Sequence, residues 1–97
     1  MPNEHQTFTV VAYDIPDDNR RNKVAAICED FGERVQFSVF ECYLSAEQRD
    51  EMTDKLLKKI ERKEDTIRMY QICADCVKRT IILGLGELWE EPGVVII

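Results

Sequence analysis

Residues 10–21 read VVAYDIPDDNRR: an apolar run that opens into one acid, a proline, two more acids and two arginines. Asp14 closes the run on the same alternate-residue set as Val10 and Ala12. If that set faces a second copy of the chain, a two-fold axis carries the two Asp14 carboxylates toward each other. Close carboxylates in a partly dry cleft repel unless a proton or a cation intervenes. Mg2+ suits such a seat, because it prefers oxygen ligands, keeps several waters and takes one or two carboxylates together with a substrate phosphate. An ion held there can activate a water and steady the charge on a phosphodiester. Arg20 stands four residues before Val24, so its stem follows the apolar stripe of the next helix and its guanidinium emerges near the strand end. There it could grip a phosphate bidentately. A plainer reading stands beside this one: Asp14 starts a turn, and Arg20 balances Asp17 or Asp18.

Cys73 and Cys76 form a C-x-x-C pair, and Cys28 and Cys42 could complete four zinc ligands. A second close pair is missing from the sequence. Cys28 falls on a helix stripe and Cys42 in a strand, where each reads as a small buried residue, so the expectation is four reduced thiols rather than zinc or a redox pair. His5 lies in a polar N-terminal stretch and is read as non-functional.

These residues need elements to position them. Residues 7–14 are rich in β-branched and aromatic side chains and precede Pro16, which predicts a strand; both of its alternate sets contain apolar residues, so both faces are expected to be covered. Over 20–31, Val24, Ile27, Cys28 and Phe31 make the stripe of an amphipathic helix, with Asp17, Asp18 or Asn19 as caps and Gly32 as a left-handed stop. Val35, Phe37 and Val39 alternate, then the pattern slips by one to Phe40, Cys42 and Leu44, which predicts two strands or one sharply bent strand over 34–44. Ser45 and Gln48 form a capping box for a second helix, expected to reach about Arg62 with Met52, Leu56 and Ile60 on one line. Residues 66–72 alternate as a strand, and 80–83 read as another short strand closed by Gly84. The tail passes Trp89 and the Pro92-Gly93 turn and ends in an apolar run at 94–97, expected to dock as a strand on the second protomer or another protein. The order is βαββαβ with an extra C-terminal strand, the α+β ferredoxin-like class. Two helices cover one face of such a sheet, so a homodimer packed sheet to sheet is the economical way to cover the other.

With 97 residues and no linker-like stretch, the chain reads as a single domain over 1–97, its core at about 7–84 and a docking tail at 85–97. The 44% hydrophobic and 33% charged residues describe an ordinary soluble domain. No apolar run reaches the ~18 residues of a membrane span, and the polar N-terminal residues have no signal-peptide core, so a cytoplasmic location without membrane contact is expected. A net charge of −6 argues against binding a polyanion through the whole surface. Local basic groups remain possible at Arg20, Arg21 and Lys23, while Lys55, Lys58, Lys59, Arg62 and Lys63 read as a solvated helix face.

Two motifs, Tyr13-Asp14-Ile15 with its downstream arginine pair and the run Gln36 through Glu41, resemble those of the CRISPR-associated endoribonuclease family. Members of that family are small ferredoxin-like proteins that partner the CRISPR integrase in acquiring new spacers for antiviral defence, and the similarity runs from about residue 7 to residue 84. The resemblance implies a homodimer and a Mg2+-dependent endonuclease that hydrolyses phosphodiesters of RNA or DNA, with Asp14 as the catalytic, metal-binding residue of each chain. It also implies that Tyr13 shapes the cleft, that Arg20 and Arg21 approach the nucleic-acid backbone, and that Ser38 and Phe40 sit at the strand bend near the site. One carboxylate per chain, with no His or Lys placed as general acid, predicts slow cleavage. Two other roles compete: a non-catalytic scaffold that bridges DNA for the integrase, with Asp14 dispensable, and a regulatory ferredoxin-like module whose Cys73 and Cys76 bind metal.

Overall fold

The computed structural model describes residues 5–87. The chain runs β1 (Thr7–Asp14), α1 (Asp18–Phe31), β2 (Gly32–Gln36), β3 (Val39–Leu44), α2 (Ala46–Leu57), β4 (Thr66–Ile72) and α3 (Ala74–Lys78). The four strands form one antiparallel sheet in the order β2-β3-β1-β4, which is the ferredoxin-like arrangement expected from the pattern of elements.

Register divides the strand residues cleanly between two faces. On one face Val11 lies between Phe40 and Met69, and Thr9 lies between Cys42 and Gln71. Helices α1 and α2 roof this face through Val24, Ala25, Cys28, Met52 and Leu56, all buried. On the other face Val10 lies between Glu41 and Tyr70, and Ala12 between Val39 and Arg68. Among the described residues, one end of that second face is roofed, where Val77 of α3 packs on Phe8 and Tyr43. The described residues of the chain itself thus cover one face of β1 and one corner of the other.

Local signals explain the helix starts. The Asp17 carboxylate accepts from the Arg20 amide at 2.9 Å, and Ser45 and Gln48 close the capping box reciprocally, with Oε1 of Gln48 accepting from the Ser45 amide at 2.8 Å. Helix ends depart from expectation. Gly32 is extended, not left-handed; it is required because a Cβ there would run into the Glu41 carbonyl and the Cys42 sulfur as β2 meets β3. Helix α2 stops at Leu57, short of Arg62, and the chain turns back where the Asp65 amide donates to Glu61 O and the Glu61 amide donates to Asp65 Oδ2, both at 2.8 Å.

Two strand expectations also change. Residues 34–44 do form two strands, with a register shift between Arg34 and Gln36, but Phe37 is not part of an alternating strand; it stands in the turn, 95% exposed. Residues 80–83 form no strand. Residues 74–78 form α3, whose Val77 packs on the sheet, and 80–83 follow without strand pairing. Among the described residues there is thus no fifth strand; Trp89, the Pro92-Gly93 turn and the apolar run at 94–97 lie outside them.

Candidate active site

Asp14 is the last residue of β1, opposite Thr66 on β4, and is exposed; among the described residues its carboxylate has no hydrogen bond or ion pair. It opens onto a cleft of about 370 Å³ whose lining includes Tyr13, Arg21, Arg34, Phe37 and Ser38. The alternation of β1 explains the pairing of Tyr13 with Asp14: one side chain turns inward beneath the helices while its neighbour turns out.

Tyr13 ties the cleft together. Its amide donates to the Ser38 carbonyl at 3.1 Å and its hydroxyl donates to the Phe37 carbonyl at 3.3 Å, so the tip of the β2–β3 hairpin is pinned to the end of β1. Its ring stacks on Phe40, centroids 6.3 Å apart, and the Arg34 guanidinium lies 5.3 Å from the Phe40 centroid. Burial pushes the Tyr13 hydroxyl pKa up, and the charge of Arg34 beside it pulls partway back. Phe40 is itself fully buried, so it supports the site from behind and does not line it.

The two neighbouring arginines have opposite fates. Arg21 lines the cleft, its Nη1 donating to the Ile15 carbonyl at 2.9 Å and its Nη2 pairing with Asp18. Arg20 turns away: Nε donates to Asp65 Oδ2 at 2.8 Å, and Nη2 donates to Asp65 Oδ1 at 3.2 Å and Glu64 at 3.1 Å. Neither Asp17 nor Asp18 is its ion-pair partner; Asp17 takes its backbone amide. The Asp65 side chain is inaccessible to solvent, and its bonds to Arg20 hold its carboxyl below the usual carboxylate value. Arg20 is therefore a brace between the start of α1 and the start of β4.

Of the sequence-assigned residues, the fold brings Tyr13, Asp14, Arg21 and Ser38 to one cleft, sets Phe40 beneath it and diverts Arg20. Sequence reading missed Arg34 and Phe37. Their signal was the slip in alternation at 34–40, which places a hairpin tip at the end of the same strand pair that carries Asp14. The four cysteines do not assemble: Cys28 and Cys42 are buried in the core, Cys73 and Cys76 are exposed, and among the described residues no group of three or more His, Cys, Asp or Glu side chains could hold a metal. No helix among them is long and apolar enough to cross a membrane.

Comparison with known proteins adds a family. Residues 7–80 match the family model described as CRISPR associated protein Cas2. A protein of Synechocystis sp. named CRISPR-associated endoribonuclease Cas2 3 is 43% identical over 88 residues, covering 91% of this chain and 96% of that protein. The crystal structure of Streptococcus pyogenes Cas2 superposes with a TM-score of 0.71 at 33% identity, covering 79% of this chain and 99% of that one. A chain of a partial Cas6-RT-Cas1–Cas2 complex superposes with a TM-score of 0.66 at 26% identity, covering 79% and 90%. By fold, by motif and by these matches, the chain belongs to the Cas2 family of CRISPR-associated proteins.

Proposed function

We propose that this protein is a metal-dependent phosphodiesterase of CRISPR adaptation, acting on RNA or DNA as a homodimer in which each chain contributes Asp14 to a shared Mg2+ site. The observation that carries this reading is an exposed carboxylate without a protein partner among the described residues, at the mouth of a cleft flanked by Arg21 and Arg34. The donor set fits Mg2+: a hard oxygen ligand, space beside it for waters and a phosphate, and neither thiol nor imidazole in the cleft lining. When bound, the ion would neutralise phosphate charge and polarise an attacking water. Binding and orientation fall to the chain's own residues. Arg21 and Arg34 would take phosphate oxygens; both are already tethered, to Ile15 O and to Glu29 at 3.8 Å, which limits the rotamer freedom lost on binding. Phe37, presented on a pinned hairpin tip, offers a ring face to a base. Tyr13 stays protonated and gives its hydroxyl hydrogen to Phe37 O, so it shapes the wall and is not the general base.

Val10, Ala12 and Asp14 share the open face of the sheet, so pairing through that face would bring all three into one interface. A relative found in a complex with Cas1 supports the CRISPR integrase as partner and favours a second reading, in which the dimer holds DNA for the integrase without cutting it. One experiment separates the two: nuclease activity and spacer acquisition measured in parallel for wild type and Asp14→Ala. On the first reading, Asp14→Ala or chelation of divalent ions abolishes cleavage with the dimer intact; cleavage that persists in the variant rejects it. Full spacer acquisition without cleavage assigns the bridging role.

A further inference from the structure

The four cysteines occupy two environments. Cys28 and Cys42 have no exposure, and burial pushes both thiols up to about 12. Cys73 and Cys76 are exposed and free. Cys73 stands at the start of α3 with extended backbone (φ −68, ψ 159), and the Val77 amide donates to its carbonyl at 3.0 Å, closing a turn that contains Cys76. Positions three apart on a helical turn hold their Cα atoms about 5 Å apart. A disulfide spans roughly 4.4–6.8 Å between Cα atoms, so the Cα spacing of such a turn suits one.

The two sulfurs are not equivalent. The Cys76 amide, then the Cys76 thiol and the Asp75 amide, lie near the Cys73 sulfur, though not in capping geometry, and hold its pKa below the usual thiol value. The same contact raises Cys76. One thiol is poised to attack and the other to follow.

We propose that Cys73 and Cys76 form a thiol–disulfide exchange site for low-molecular-weight disulfides, separate from the Asp14 cleft. Cys73 thiolate attacks one sulfur of the small disulfide and expels the first thiolate, leaving a mixed disulfide. Cys76 then gives up its proton, attacks the Cys73 sulfur and expels the second thiolate. Two protein thiols and one small disulfide become one protein disulfide and two small thiols, the two electrons and two protons passing to the small molecule. Closure staples the first turn of α3, whose Val77 covers the Phe8–Tyr43 corner of the sheet.

The test treats reduced full-length protein with oxidised glutathione at neutral pH and maps thiols by intact mass and peptide analysis. A Cys73–Cys76 disulfide should form while Cys28 and Cys42 remain thiols. Cys76→Ser should trap the mixed disulfide on Cys73, and Cys73→Ser should slow modification at position 76 by ~10-fold or more. Hydrogen exchange at Val77 should slow on oxidation. The proposal is overturned if the wild-type disulfide fails to form, if Cys28 or Cys42 reacts as fast as Cys73, if Cys73→Ser reacts at the wild-type rate, or if Val77 exchange is unchanged. None of these readouts depends on nuclease activity.

Discussion

The two faces of the sheet are made from the same strands, and they do opposite things. On the helix-covered face Thr9, Val11, Phe40 and Cys42 have zero exposure. On the other, Val10 and Ala12 are half-buried, Arg68 is exposed, and Tyr70 keeps 50% of its surface. The period of two along β1 sends Val11 and Tyr13 into the core and Val10, Ala12 and Asp14 out of it, so a one-residue slip would exchange a buried face for a more exposed one. Fold stability is thereby concentrated on one side, and the other side is left able to change.

The sharpest way to break that division is Phe40→Ala. Removing a fully buried aromatic ring costs roughly 3–5 kcal/mol, a large share of the ~5–15 kcal/mol that a domain possesses. Phe40 also packs against the Tyr13 ring and the Arg34 guanidinium, so the cleft should lose its shape with the stability. Urea denaturation measures the first effect and nucleic-acid binding the second. A loss under about 1 kcal/mol would mean that stability is spread over both faces.

This division was partly legible in the sequence, and the boundary is physical. Helix starts were readable because capping is local: Ser45 and Gln48 lie three residues apart and bond each other. The alternation of β1 was readable for the same reason. What was not readable depends on residues far apart in the chain. Nothing near Arg20 says that its guanidinium will meet Asp65, or that Gly32 must be bare because β3 presses against it. Asp14 could be picked out as the end of an apolar strand, whereas Arg34 joins its cleft only through the hairpin that Tyr13 pins. Helix α3, at 74–78, is a single short turn, too brief for any periodicity, and the strand inferred at 80–83 rested on four apolar-leaning residues alone.

Asp65 gives the next largest effect and sharpens the comparison by locating a polar brace on the covered side. Its folded carboxyl lies below the unfolded value of 3.8, so the charged form stabilises the native chain. That contribution is complete above the unfolded value and disappears as pH falls through the lower folded one. Asp65→Asn should therefore lower the urea midpoint at neutral pH, by less than Phe40→Ala does. The gap from wild type should close as the pH is taken down through the lowered folded value. A gap that stays constant across that range would show that the carboxylate charge, and hence the Arg20 bond, contributes nothing.

Val10→Lys is the smallest expected change in stability and the most direct probe of the open face. Val10 lies between Glu41 and Tyr70 across the neighbouring strands. A lysine there can lay its methylenes along the Tyr70 ring and bring its ammonium toward the Glu41 carboxylate, an opposite-charge pair of the kind that offsets part of the lost apolar contact. The cost to the single chain should stay below about 1 kcal/mol. Self-association should respond quite differently, because a sheet-to-sheet interface would have to desolvate the new charge. On the proposed sheet-to-sheet pairing, wild type should sediment as a dimer and the variant as a monomer at the same concentration, with the far-UV spectrum unchanged. If the variant stays dimeric, the open face is not where two copies meet, and the shared Asp14 site loses its geometric basis while the fold of the single chain is unaffected.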